Sequence, residues 1–217
     1  MLIADINYYH IEFLKNSIIG SLCGDSLKML QAVYRIKQIH KIRFHFEESK
    51  KITPYTNDDF FELMHNMYEE MIVDDVKIIS AFENYLKAVL LESGYIIHET
   101  KINKPVKISD GLNNSVNLKK TTHRISTLLN DDFWPIYGLL ESDKTYLSLL
   151  SKRRNSIHFL LSKQSYSPFD LFEEVEVLKP LIKGQIAYKY KSYCKKLDVK
   201  HNQKLIDFEF LDEAQLT

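Results

Sequence analysis

Residues 74–94 read Asp-Asp-Val-Lys-Ile-Ile-Ser-Ala-Phe-Glu-Asn-Tyr-Leu-Lys-Ala-Val-Leu-Leu-Glu-Ser-Gly. Ile79, Phe82, Leu86, Val89 and Leu90 recur at steps of three and four, the spacing that lines one face of an α-helix. Asp74-Asp75 suit the N-terminal cap of such a helix and Gly94 its C-terminal cap, so the stretch predicts a helix over 74–92. Glu83 falls between Ile79 and Leu90 at the edge of the apolar face. An ion pair with Lys87, four residues on, is its simplest use.

The rest of the chain repeats this pattern. Six Gly and five Pro in 217 residues supply few turns for an all-β fold. A content of 45% hydrophobic and 27% charged residues is that of a globular protein with a full core. The expected class is all-α, a helical bundle.

In chain order, Asp5 to Ile19 reads as a short amphipathic helix ending near Gly20. Gly24-Asp25-Ser26 reads as a breaker before a longer helix carrying Leu27, Leu30, Val33, Ile36 and Ile39. Arg43-Phe44-His45-Phe46 alternates as a strand would. Asn57-Asp58-Asp59 then cap a helix with Phe60, Phe61, Met64, Met67, Tyr68 and Met71, a stripe that reads as core.

Helical periodicity fails from Ile96 to Asn117, where Pro105, Gly111 and Asn113-Asn114 predict a loop with a short β-pair near Ile96 and Val106. Short helices are expected from Thr122 to Leu129 and after Asp131-Asp132, the latter with Phe133, Trp134, Ile136 and Leu139. Ser142-Asp143 cap a further helix, with Tyr146, Leu147, Leu149 and Leu150 directed inward. Ser167-Pro168-Phe169-Asp170 opens a long C-terminal helix that Pro180 is expected to kink. Near its end Tyr188, Tyr190 and Tyr193 alternate with Lys189, Lys191 and Lys195, a pattern that suits either base stacking or a solvated helix end. This organisation divides the chain into an N-terminal helical extension (1–50), a helical domain (51–200) and a tail (201–217).

Formal net charge is zero, which argues against a nonspecific nucleic-acid coat. The charge is uneven, however. Three Lys face nine acids between Lys51 and His98, whereas eleven Lys and Arg face five acids from Lys101 to Lys163. Cys23 and Cys194 fit neither a zinc site nor a disulfide framework by spacing. No metal ligand set, Gly-rich phosphate loop or cofactor motif stands out. Without a basic, apolar leader or a membrane-length apolar run, a cytoplasmic location and no membrane are expected.

Within the basic half, residues 149–161 read Leu-Leu-Ser-Lys-Arg-Arg-Asn-Ser-Ile-His-Phe-Leu-Leu. Two apolar blocks enclose Arg153, Arg154, Asn155, Ser156 and His158. An imidazole moves protons near neutral pH, and a guanidinium stabilises charge building on phosphate, so the pair suggests phosphodiester chemistry. Arg35 and His40 share the spacing, but Ile36 follows that Arg, where the later copy has polar residues.

Arg153 through His158 resembles the R-x4-6-H signature of the HEPN superfamily (higher eukaryotes and prokaryotes nucleotide-binding domains), over at most Asp58 to Leu197. The resemblance implies a metal-independent endoribonuclease of a prokaryotic toxin or phage-defence system, acting on RNA as a homodimer and answering to an antitoxin or other regulatory protein. It implies His158 as general acid or base and Arg153 as the stabiliser of the phosphorane. Asn155 and Arg154 would support the site or contact RNA, and Glu83 would orient the Arg or His. A Tyr found two residues after the His in some toxins is Leu160 here, so modification of that position is not implied.

On an unbroken helix Arg153 and His158 stand about 140° apart. Either the helix ends or bends at Asn155, or the residues complete a site with their copies from a second protomer. A reading of another class is a catalytically silent helical module that dimerises and binds a partner protein, nucleotide or RNA.

Overall fold

Two long helices carry the fold. In the computed structural model, α1 runs Glu12–Ser49 and α2 runs Asn57–Glu92, packed along one another. The structure describes residues 11–49, 57–101, 103–113, 119, 121–156, 179–180 and 182–207, with the backbone alone for 37–49, 57–72, 111–113, 153, 155 and 156. After α2 come the short helices α3 (Ile108–Asn113), α4 (Ile125–Leu128) and α5 (Trp134–Tyr137), then α6 (Glu141–Ser156). A π-helical turn (Ile182–Ile186) leads into α7 (Ala187–Lys196), and α8 (Gln203–Ile206) follows. The described residues are mostly helical and form isolated β-bridges rather than a sheet.

The breaker expected at Gly24-Asp25-Ser26 does not break: α1 passes straight through Gly20 and Gly24. A Cβ on Gly20 would meet Tyr193 Cβ at 3.4 Å, and one on Gly24 would meet the Tyr190 ring at 3.0 Å. The glycines are therefore where α7 crosses close to α1. Ser26 keeps its helical place by donating to Leu22 O (2.7 Å), and it also reaches Ala81 O on α2 (2.8 Å). Gly24→Leu is expected to cost about 2 kcal/mol, overpacking outweighing the better helix propensity, read as a lower urea midpoint.

Two further expectations are corrected. The Arg43–Phe46 stretch is helical backbone within α1, because four alternating residues do not outweigh a helix already propagating. Asp74-Asp75 lie inside α2 rather than at its start, both buried, with Asp74 3.3 Å from Lys77. The expected end of α2 is observed. Gly94 takes φ +80°, Gly94 N donates to Leu91 O and Tyr95 N to Leu90 O, a glycine-capped terminus.

Beyond that cap the chain runs extended. Ile96 N donates to Val106 O (2.9 Å) beside a Tyr95–Lys107 bridge, where the short β-pair was expected. A second pairing was not expected: His123 N donates to Ile97 O (2.8 Å) and Glu99 N to Thr121 O (2.9 Å), around a His98–Thr122 bridge. Thr122 and His123 thus belong to the extended pairing, and helix begins only at Ile125.

In α6, Leu147 and Leu150 are buried and Tyr146 half-buried, but Leu149, expected to point inward, is 42% exposed. The break near the C-terminal helix lies at Gly184 (φ −93°, ψ −106°), whereas Pro180 sits on helical backbone. Glycine's freedom permits that ψ. The start signal at Ser167–Asp170 lies outside the described residues.

One core holds these elements. It joins Ile19, Leu27 and Leu30 of α1, Phe82, Leu86 and Leu90 of α2, Leu147 and Leu150 of α6, Ile186, Tyr193 and Leu205. The boundary expected after residue 50 falls between two helices that share this core. Gln31 Nε2 donates to Leu205 O at 2.6 Å, fastening α8 to α1.

Candidate functional site

Arg153, Arg154, Asn155 and Ser156 occupy the last turn of α6. The helix starts because Asp143 accepts from Leu140 N (3.0 Å), satisfying a free N–H at its first turn. Asp143→Ala is expected to cost about 1 kcal/mol, read as a fall of a few degrees in thermal midpoint. Leu147 and Leu150 hold α6 against the core, where it packs on α2 and α4. Helical backbone runs past Asn155 to Ser156, so the helix does not end at Asn155. Arg154 is half-buried. His158 and the side chains of Arg153 and Asn155 lie outside the described residues. Of the competing pair, Arg35 lies exposed on α1, and the His40 side chain is outside the described residues.

Glu83 is fully placed. Lys87 Nζ donates to Glu83 Oε1 at 2.6 Å and to Thr122 Oγ1 at 2.9 Å, while Ile125 N donates to Glu83 Oε2 at 3.2 Å. The carboxylate and the buried Lys87 ammonium therefore clamp α2 to the start of α4. Spacing alone indicated the Lys87 pair; the two partners from 122–125 come from the extended pairing that periodicity did not reveal.

That pairing also buries a residue the sequence reading passed over. His123 is 1% exposed, neither ring nitrogen has a hydrogen-bond partner among the described residues, and the ring meets Phe133 edge-on with centroids 5.0 Å apart. Burial pushes its pKa down to about 4; Lys87 and His98 act in the same direction and Glu99 opposes them. Reading 122–129 as helix hid this, since a helix would have placed His123 on a solvated first turn. Glu99 is itself occupied, accepting from Thr121 Oγ1 (3.0 Å) and Lys119 Nζ (3.3 Å), with Arg124 at 3.9 Å. Thr100 Oγ1, Trp134 Nε1 and Tyr137 Oη are likewise buried without a hydrogen-bond partner among the described residues.

The aromatic-basic run of α7 is largely structural. Tyr193 is buried and donates to Glu92 Oε1 (2.9 Å), Lys189 pairs with Glu92, and Tyr190 Oη accepts from Asn202 N (3.2 Å). Tyr188, at 76% exposure, is the one of the three that faces solvent. Cys23 and Cys194 are free and buried, and burial pushes the Cys23 thiol up to about 12. Among the described residues no group of three or more His, Cys, Asp or Glu is placed to hold a metal ion, and no helix is long and apolar enough to cross a membrane.

Compared with protein-family models, curated proteins and solved structures, the chain matches none.

Proposed function

We propose that this chain is a metal-independent endoribonuclease of the HEPN type, serving a prokaryotic toxin or phage-defence system, with Arg153 and His158 forming its site at a homodimer interface. The observation that supports the reading is the uninterrupted helical backbone of α6 through Ser156. A helix braced on α2 and α4 delivers two guanidinium residues and an amide in one turn, a rigid mount for groups that must meet a phosphate.

The chemistry follows from the residue types. His158 takes the proton of an RNA 2′-hydroxyl, whose oxygen attacks the adjacent phosphorus. Arg153 stabilises the equatorial charge of the phosphorane, and the 5′-oxygen leaves with a proton taken from water, while His158 returns the 2′-hydroxyl proton to solvent. Arg154 and Asn155 hold neighbouring phosphates. The products are a 2′,3′-cyclic phosphate and a 5′-hydroxyl.

The test is purified protein with single-stranded and structured RNAs in EDTA, with the product ends identified by mass spectrometry. Cyclic-phosphate ends support the ribonuclease. A folded dimer that cleaves none of these RNAs moves the reading to a catalytically silent helical module that binds a partner protein, nucleotide or RNA.

A further inference from the structure

We propose that His123 is an acid-sensitive latch: its neutral ring holds the 121–128 segment on α2, and protonation of the ring undocks that segment. The argument rests on what surrounds the ring. It is 1% exposed, stacked edge-on against Phe133, and makes no side-chain hydrogen bond. A neutral imidazole tolerates this, but an imidazolium carries two N–H donors and a full charge that need acceptors or water.

Among the described residues no neighbour is free to provide them. From α2, Lys87 brings a like charge, already balanced by Glu83. From the extended segment, His98 adds positive charge when protonated, and Glu99 is the opposing carboxylate. Glu99 is engaged by Thr121, Lys119 and Arg124. Phe133, from the turn before α5, offers only its ring. A charged His123 is therefore more stable in solvent.

Its departure strains the ties on both sides. His123 N bonds Ile97 O, Thr122 accepts from Lys87, and Ile125 N donates to Glu83. These are the contacts that dock the segment, and α4 at its end packs on α6. The latch stands whether or not α6 carries a catalytic site.

The sign is set by the depressed pKa. Folding favours the neutral ring, so this stabilisation is complete above about pH 6.5 and is lost as pH falls toward about 4. The opening equilibrium is expected to rise roughly 30-fold between pH 8 and pH 5.

Two readouts follow the segment. Hydrogen-exchange protection factors for 121–128, which correct for exchange chemistry, are expected to fall by about that factor. Emission from Trp134, the only tryptophan in the chain and the residue after Phe133, is expected to shift to the red over the same range. His123→Leu keeps the volume and accepts no proton, so it should hold protection level from pH 8 to 5. His123→Gln, neutral and polar, serves if the leucine variant does not fold. His98→Gln should keep the wild-type response. The latch is overturned if wild-type protection is flat across this range, if both His123 variants keep the 30-fold loss, or if His98→Gln alone abolishes it.

Discussion

Alanine at His158 is expected to lower RNA cleavage by about 10²–10⁴-fold, the usual weight of a positioned general acid or base. Arg153→Ala is expected to lose about 10²–10³-fold, since charge on the phosphorane loses its fixed donor. Arg153→Lys should recover only part of this, because a lysine keeps the charge but not the planar pair of donors. Initial rates in EDTA with one RNA check all three. Equal thermal midpoints separate lost chemistry from lost fold. The control is built into the sequence: Arg35 and His40 share the spacing, and Arg35 is exposed on α1. Cleavage surviving His40→Ala and lost in His158→Ala assigns the chemistry to the later motif, and the reverse result assigns it to α1.

How much of this was legible depends on whether the deciding partner is near in sequence. The C-terminus of α2 was legible because its cap is local: Gly94 supplies the left-handed backbone that closes the helix over Leu90 and Leu91. Gly24 was misread for the opposite reason. Beside Asp25 and Ser26 it has every local mark of a turn, and the ring that explains it, Tyr190, lies far along the chain. Tertiary contact overrode propensity there, as it did at Asp74-Asp75, good caps that became buried mid-helix residues. The 95–123 region was half legible. Alternation marked Ile96 and Val106, but nothing local shows that residues 121–123 return to pair with 97–99. His123 was missed with that pairing, and so were two of the three hydrogen bonds of the Glu83–Lys87 clamp.

That clamp gives Glu83 two competing roles, and substitution separates them. Lys87→Met removes the ammonium but keeps most of the stem, leaving the Glu83 carboxylate with Ile125 N alone and Thr122 Oγ1 without its donor. The Lys87 side chain is 8% exposed and that of Glu83 24%, so little water reaches the orphaned charge. The expected cost is about 3 kcal/mol, at the lower end for breaking a buried pair because Glu83 keeps some solvent. Glu83→Gln alone should cost less, about 2 kcal/mol, since the single amide oxygen still accepts from one of the two donors and Lys87 keeps Thr122 Oγ1. If the pair acts as a structural clamp, the double variant Glu83→Gln/Lys87→Met should recover about 1 kcal/mol or more relative to the sum of the single changes, read from urea unfolding in a double-mutant cycle. A role in orienting Arg153 or His158 predicts another pattern. Glu83→Gln would then lower the cleavage rate well beyond its effect on stability, and restoring the charge balance through Lys87 would leave that rate low. Loss of stability without loss of rate places Glu83 in the scaffold, since the clamp ties α2 to the start of α4, and both helices pack against α6.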